Sequence, residues 1–290
     1  MMKRLLRAAL RKTARWLQDE PKQNGNSQAH QPLYSLYPSL NSVSLAISAH
    51  HPNRSYYVWG VVNAAALAQA LKIPRISVME LGVAGGSGLV ALEDIAARVE
   101  AELKDVQIDV YGFDTGIGLP KPVDYRDLPN LFVEGLYSMD VERLQKRLSK
   151  AKLNLGSVEN TIPEFIASSP APVGFVSFDL DFYTSTLHAF RLLEADQKLL
   201  LPRIHCYFDD IVGFTYSEFT GELLAIAEFN ATHSRRKISQ IRGLTYYVAP
   251  QYAHESWVEQ FYMAHIFDHD LYGHFDGLNQ LKALDLSSSK

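Results

Sequence analysis

The chain of 290 residues contains a single cysteine, no long hydrophobic run and little excess charge of either sign. Cys206 alone can form neither an internal disulfide nor a thiolate metal site, which agrees with a reducing cytoplasm. The net charge of −4 provides no concentrated positive face, so a nucleic-acid partner is not expected. No segment approaches the roughly 20 apolar residues of a membrane-spanning helix. The hydrophobic content of 47% is typical of a soluble globular protein.

Residues 3–17 have the pattern of a basic amphipathic helix, in which Lys and Arg alternate with Leu and Trp. The segment lacks the uninterrupted apolar stretch and cleavage site of a secretory signal. Two interpretations stay open: the helix packs on its own domain or on a second subunit of a homo-oligomer, or it makes a peripheral contact with an anionic membrane. The polar segment that follows predicts a flexible linker up to residue 32.

Beyond residue 33, short apolar runs alternate with segments of helical spacing. Strands separated by helices form parallel sheets that are covered on both faces, so the pattern predicts a doubly wound α/β fold with a mostly parallel seven-stranded sheet. The last two strands are predicted to form a hairpin, and the tail beyond residue 250 to form a helix. Helices are predicted over residues 56–71, 88–103, 141–148, 161–167, 185–200 and 218–229, and strands over residues 75–81, 108–113, near 153, 173–178, 205–208, 237–241 and 245–249.

The first predicted strand ends in a glycine-rich loop, "ELGVAGGSG", residues 80–88. Glycines let the backbone approach a ligand, and the following helix N-terminus offers free N–H groups. The dinucleotide fingerprint fits poorly, because Ala84 and Ser87 stand where glycines are needed after Gly82. A second reading that starts at Gly86 begins too far beyond the strand. The loop therefore predicts a cofactor site of another kind, or a turn that needs glycines for its own geometry.

Asp114 ends the next strand, beside the glycine-rich loop. A carboxylate at this place can accept hydrogen bonds from both hydroxyls of a ribose. The alternative is an aspartate that caps the loop after it.

Four further carboxylates follow two buried strands, in "FDLDFYTST" and "YFDD". Asp179, Asp181, Asp209 and Asp210 would repel one another in a shared cleft unless a cation or a proton compensates them. Oxygen ligands without cysteine favour a hard ion such as Mg²⁺. The alternative is that the four are independent solvated residues or helix N-caps.

Five segments resemble, in order and separation, the macrocin O-methyltransferase family of class I, S-adenosylmethionine-dependent and metal-dependent sugar O-methyltransferases: "ELGVAGGSG", "GFDTGIGLPKP", "GSVENTIPEF", "FDLDFYTST" and "YFDDIVG". The resemblance covers residues 76–249. It implies a Rossmann-like methyltransferase domain over residues 33–250, between helical extensions at 1–32 and 251–290. Thr184 stands where the family has Glu, and Ile211 where it has an aromatic residue.

The resemblance also implies roles for individual residues. S-adenosylmethionine and Mg²⁺ would be the cofactors, and a small-molecule or glycan hydroxyl would be the methyl acceptor. Asp181 would be the base that takes the acceptor proton. The cofactor-binding residues would be Glu80, Gly82, Ala84, Gly86, Ser87, Asp114, Ser157, Val158 and Asp179, and the metal ligands Asp179, Asp209 and Asp210.

Two other functions fit parts of the sequence: a nicotinamide-dependent oxidoreductase acting on a nucleotide sugar, and a protein that binds S-adenosylmethionine without turnover. His265 and His269 have a spacing that can bind zinc, but no partner motif completes such a site. His51 and Arg54 could reach the acceptor or lie on the surface.

Overall fold

The computed structural model describes residues 38–274. The predicted basic helix at residues 3–17, the linker up to residue 32 and residues 275–290 of the predicted C-terminal extension lie outside this range. Between residues 38 and 274, no helix is long and apolar enough to cross a membrane.

The centre of the fold is a seven-stranded sheet in the order β3-β2-β1-β4-β5-β7-β6. Strands β1 to β5 are parallel, and β7 runs antiparallel to both of its neighbours. The predicted Rossmann-like, doubly wound fold with a mostly parallel sheet is therefore confirmed. The strands are β1 (Arg75–Leu81), β2 (Gln107–Asp114), β3 (Lys152–Leu155), β4 (Val173–Phe178), β5 (Leu200–Phe208), β6 (Arg236–Gln240) and β7 (Phe261–Ile266).

Helices cover both faces of the sheet. Alternate residues of a strand point to opposite faces, so Ile76 and Val78 of β1 pack into one apolar cluster while Met79 and Leu81 pack into another. Burial of both faces explains the continuous apolar run of β4, in which all six residues are buried. The α-helices are α1 (Pro38–Ser48), α2 (Ser55–Ala70), α3 (Ser87–Glu102), α4 (Val141–Gln145), α5 (Val158–Ala167), α6 (Tyr183–Ala189) and α7 (Gly221–Thr232).

The carboxyl ends of the central strands lie level with one another. Leu81 pairs with Phe113 and with Phe178, and Phe178 pairs with Phe208. The residue that follows each strand therefore emerges at the same edge of the sheet, and neighbouring strands are only about 4.8 Å apart. This register brings the predicted site segments together.

The predicted hairpin over residues 237–241 and 245–249 is wrong. Strand β6 pairs instead with β7, which lies in the tail that was predicted to be helical. After Gly243, whose φ is +72°, residues 244–246 form a single 3₁₀ turn. The predicted extension at 251–290 thus contributes a strand to the sheet, because β7 lies between β5 and β6.

The helix predicted over residues 185–200 is also shorter than expected. The α-helix ends at Ala189 and two 3₁₀ turns follow, the second of which is capped by the side chain of Asp196. Leu200 already belongs to β5, where its side chain is buried.

Candidate active site

A cavity of about 380 Å³ opens at the carboxyl edge of the sheet, within the size range of small-molecule sites. Of the predicted site residues, three do not line it: Glu80, Gly86 and Ser87. The structure brings the other nine together around this one cavity. They are Gly82, Ala84, Asp114, Ser157, Val158, Asp179, Asp181, Asp209 and Asp210.

At Gly82 the backbones that follow β1 and β4 approach each other closely. Its φ is +88°, and a Cβ there would lie only 1.7 Å from the carbonyl oxygen of Asp179. No other residue fits this position without moving one of the two strands. Ala84, two residues later, also has a positive φ of +45°. The loop is therefore shaped to bring bare backbone to the cavity wall.

Glu80 lies beneath the loop and is only 3% exposed. The Tyr57 hydroxyl donates a 2.6 Å hydrogen bond to its Oε1, while its Oε2 has no partner among the described residues. Burial raises the pKa of Glu80 to about 8. Gly88 leaves room for the carboxyl group, since a Cβ there would lie 1.8 Å from Oε1.

The N-terminus of α3 accounts for the other two predicted residues outside the cavity. Gly86 is the N-cap of this helix, with a φ of +80°. Ser87 is exposed, and its hydroxyl accepts a 3.2 Å hydrogen bond from Arg54. Arg54 also donates to the hydroxyl of Tyr56. His51 pairs instead with Asp94, at 2.6 Å.

Asp114 is bonded to the glycine-rich loop. Its Oδ2 accepts the N–H groups of Val83 and Ala84, both at 2.9 Å, and its Oδ1 accepts the Gly116 N–H at 2.7 Å. A carboxylate offers about four acceptor sites, so one site on Oδ1 stays open for a ligand hydroxyl. Acceptance of two ribose hydroxyls would require one of the three N–H bonds to break. Asp114 thus holds the loop and lines the cavity at the same time.

Ser157 and Val158 stand at the start of α5. The Ser157 side chain accepts the Glu159 N–H and caps the helix. The preceding Gly156 donates its N–H to the carbonyl oxygen of Asp114, at 2.9 Å. The ends of β2 and β3 are therefore tied together on the glycine-loop side of the cavity.

The part of the cavity that follows β4 and β5 is lined by four carboxylates. Asp181 and Asp210 are buried, Asp179 is half-buried, and Asp209 is exposed. The alternative of four independent solvated residues does not hold for Asp181, which is 7% exposed. The Asp181 N–H donates to Oδ2 of Asp210 at 3.1 Å, so the two segments are in direct contact.

Burial and mutual repulsion shift the proton affinity of this cluster. The pKa of Asp181 is raised to about 8, by burial first and then by the charges of Asp210 and Asp209. Burial raises the pKa of Asp210 to about 6, against a hydrogen bond from Tyr216 that lowers it. The pKa of Asp179 is raised well above its usual range by burial and by Asp209. Near neutral pH the cluster therefore retains protons.

The donor chemistry of the cluster suits a hard cation, because its ligands are carboxylate oxygens that repel one another. The predicted ligands Asp179, Asp209 and Asp210 line the same cavity. They are not gathered into a formed site: within residues 38–274, no group of three or more His, Cys, Asp or Glu side chains is arranged to hold a metal ion.

The two histidines of the tail make other contacts. His265 lies in β7, and its Nδ1 is 2.9 Å from the Tyr272 hydroxyl. His269 has its Nε2 3.1 Å from the Leu200 carbonyl oxygen.

Several residues of the site were not predicted. Tyr207 donates to Oδ1 of Asp209 at 2.7 Å, and Tyr216 donates to Oδ1 of Asp210 at 2.9 Å. Glu222 is fully buried behind Asp210, whose N–H donates to its Oε2 at 3.2 Å. These groups lie two to twelve positions from the aspartates in sequence. Tyr207 had a usable signal, because residues two apart along a strand point to the same face and Tyr207 lies two positions before Asp209. Glu222 had none.

No protein-family model matches the chain, and no curated protein matches it. The solved structures that are similar over much of its length include three methyltransferases. CalS11, a calicheamicin methyltransferase, is 19% identical with a TM-score of 0.49, over 78% of this chain and 93% of that chain. The O-methyltransferase NovP is 17% identical with a TM-score of 0.43, over 59% and 70%.

The third is the MycE methyltransferase of the mycinamycin biosynthetic pathway, in complex with Mg, SAH and mycinamycin VI. It is 12% identical with a TM-score of 0.32, over 84% of this chain and 64% of that chain. Similarities this low assign no activity, which depends on the residues that line the cavity.

Proposed function

We propose that the protein is an S-adenosylmethionine-dependent O-methyltransferase that acts on a hydroxyl of a sugar or glycosylated acceptor. The observation that carries the proposal is a single cavity with chemically different residues at its two ends, which follow β1 and β2 on one side and β4 and β5 on the other. Gly82, Ala84 and Asp114 form one end from close-packed backbone and a loop carboxylate. Asp181 stands at the other end, with a proton affinity suited to a base near neutral pH.

The glycine-loop end fits S-adenosylmethionine. The close approach at Gly82 leaves no side chain between the strand end and a ligand, and Asp114 keeps one acceptor site for a ribose hydroxyl. Ser157 and Val158 line the cavity beside it, where they would flank the adenine. When bound, S-adenosylmethionine supplies a methyl group that its sulfonium already activates.

The protein must then align the acceptor oxygen with the methyl carbon and remove the hydroxyl proton. Asp181 is the proposed base, because Asp210 already receives two hydrogen bonds, Asp209 receives one from Tyr207, and Asp179 is a proposed cation ligand. As the new C–O bond forms and the C–S bond breaks, the carboxylate of Asp181 takes the hydroxyl proton. Asp181 then releases this proton to water.

A hard divalent cation such as Mg²⁺ is part of the proposal. Asp179, Asp209 and Asp210 would hold it once their side chains turn towards one another, and it would lower the pKa of the acceptor hydroxyl. The support is the crowding of these carboxylates: burial, and then repulsion by Asp209 and Asp210, raises the pKa of Asp179, and a cation would relieve the repulsion.

The proposal is tested first by binding and then by turnover. Calorimetric titration with S-adenosylmethionine and with NAD⁺ separates a methyltransferase from a nicotinamide-dependent oxidoreductase. Transfer of a radiolabelled methyl group to a panel of p-nitrophenyl glycosides and nucleotide sugars, with Mg²⁺ and with EDTA, then measures activity. Binding of NAD⁺ in preference to S-adenosylmethionine would refute the proposal. Binding of S-adenosylmethionine without transfer to any panel member would favour a non-catalytic binding protein.

A further inference from the structure

Tyr137 combines features that the proposed chemistry leaves unused. It lines the cavity, and its side chain is 55% exposed. Its backbone has a φ of +63°, a left-handed conformation that a bulky aromatic residue rarely adopts. Backbone strain of this kind persists only where the surroundings impose it, and it is concentrated at binding sites.

The flap, defined as residues 115–139, imposes this conformation. The Leu119 N–H donates to the Leu136 carbonyl oxygen at 2.8 Å, and the Gly135 N–H donates to that of Leu119 at 2.9 Å. The two arms of the flap, at residues 118–119 and 135–136, approach so closely that a Cβ on Gly118 would lie 2.4 Å from the Leu136 carbonyl oxygen. The backbone that leads into Tyr137 is therefore held in place by hydrogen bonds to the opposite arm of the flap.

The flap is also tied to the segment that carries Asp181. Asp127 is fully buried and accepts the Val123 N–H at 2.9 Å within the flap. The same carboxylate accepts the Thr184 N–H at 2.8 Å and the Thr184 hydroxyl at 3.0 Å. Because Thr184 lies three positions after Asp181, these bonds fix the distance between the flap and the proposed base.

The hydroxyl of Tyr137 is free for a ligand. Within residues 38–274 it makes no hydrogen bond, whereas three other tyrosines near the site donate to carboxylates: Tyr57 to Glu80, Tyr207 to Asp209 and Tyr216 to Asp210. Burial and the neighbouring charges of Asp181, Asp210 and Asp179 raise the pKa of Tyr137. The phenol therefore stays protonated and can donate a hydrogen bond beside these carboxylates.

We propose that Tyr137 is a positioning residue for the acceptor, whose ring and hydroxyl hold a sugar so that its reacting hydroxyl meets Asp181. This inference rests on the proposed function. An aromatic ring presents an apolar face to the C–H groups of a sugar, and its hydroxyl bonds a sugar oxygen. The hydrogen bonds of the flap hold the strained backbone of Tyr137, and with it the ring, in this position.

Two variants separate positioning from folding. Tyr137→Phe removes only the hydroxyl, and Tyr137→Asn removes the ring and supplies a residue that tolerates positive φ. Tyr125→Phe is the matched control on the flap, since Tyr125 is 69% exposed and does not line the cavity. Lys72→Asn is the control for strain, since Lys72 has a φ of +58° outside the cavity.

The measurements are the melting temperature, the Kd for S-adenosylhomocysteine, and kcat and KM for the p-nitrophenyl glycoside that is turned over best. Loss of one hydrogen bond should raise KM for the glycoside roughly 2- to 10-fold in Tyr137→Phe, and the ring loss should raise it further in Tyr137→Asn. Relief of strain should raise the melting temperature of Tyr137→Asn by roughly 2–4 °C, as in Lys72→Asn. The Kd for S-adenosylhomocysteine should not change.

An unchanged KM in both Tyr137 variants would overturn the inference while leaving the proposed function intact. A lower melting temperature of Tyr137→Asn would also overturn it, even without a known acceptor, because Tyr137 would then be a structural residue. Failure of the wild type to bind S-adenosylhomocysteine would instead refute the proposed function.

Discussion

Asp181→Asn tests the electrostatics of the site without disturbing its shape. Asparagine has nearly the same size and tolerates the left-handed backbone at Asp181, whose φ is +60°. The backbone N–H that donates to Asp210 is retained. Alanine would be a poorer choice, because it would add backbone strain at this φ. The change therefore removes one ionisable group and little else.

The magnitude follows from the raised pKa. Asp181 titrates at about 8 in the folded protein against an ordinary value of 3.8. Between these values the folded state binds more protons than the unfolded state, so the free energy of unfolding of the wild type falls as pH rises. The slope from this group is about 1.4 kcal/mol per pH unit, or about 4 kcal/mol between about pH 5 and about pH 8. Sharing of protons with Asp210 reduces the measurable effect to about 2 kcal/mol.

The assay is urea unfolding in EDTA at these two pH values. The free energy of unfolding of Asp181→Asn minus that of the wild type should increase by about 2 kcal/mol from about pH 5 to about pH 8. Asp105→Asn, at an exposed position away from the cavity, should show no such increase. Equal pH dependence in the wild type and in Asp181→Asn would show that Asp181 ionises as an ordinary surface carboxylate, and would refute the reasoning.

Two further changes test the scaffold of the glycine-rich loop. Gly82→Ala should lower the free energy of unfolding by about 2–4 kcal/mol and weaken S-adenosylmethionine binding, because a Cβ would lie 1.7 Å from the Asp179 carbonyl oxygen. Urea unfolding measures the stability and calorimetry measures the binding. Wild-type values in both assays would contradict the close approach. Tyr57→Phe should lower the free energy of unfolding by about 1–3 kcal/mol, because it leaves Glu80 without its hydrogen bond. Tyr125→Phe, at an exposed position, should leave the free energy of unfolding unchanged in the same assay.

Two of the central strands, β1 and β4, could be predicted from the sequence to the residue, whereas β5 was predicted from residue 205 and begins at Leu200. The bounds of β1 and β4 match the prediction because a strand covered on both faces is a mostly apolar run. Strand β7 was missed because its partners are distant in sequence: Tyr207 of β5 pairs with Phe261, some fifty residues later. A pattern of local alternation favoured the nearer segment as the partner of β6.

The site could be predicted only in part, for a similar reason. The aspartates that follow β4 and β5 were identified because strand ends at one edge of a parallel sheet converge. The role of Asp114 as an anchor for the loop, and the burial of Glu80 beneath it, depend on how tightly the strand ends pack around Gly82. Tyr137 depends on the path of an irregular flap, which no periodicity describes.

The most direct test of the account is the pH dependence of methyl transfer in the wild type and in Asp181→Asn. Single-turnover transfer from radiolabelled S-adenosylmethionine to an accepted p-nitrophenyl glycoside is followed with Mg²⁺, and again in EDTA as the metal-free control. If Asp181 takes the acceptor proton, the wild-type rate should rise with pH as the Asp181 carboxyl group loses its proton, and Asp181→Asn should be at least about 100-fold slower at every pH. A rate in Asp181→Asn equal to that of the wild type, with the same pH profile, would contradict the account.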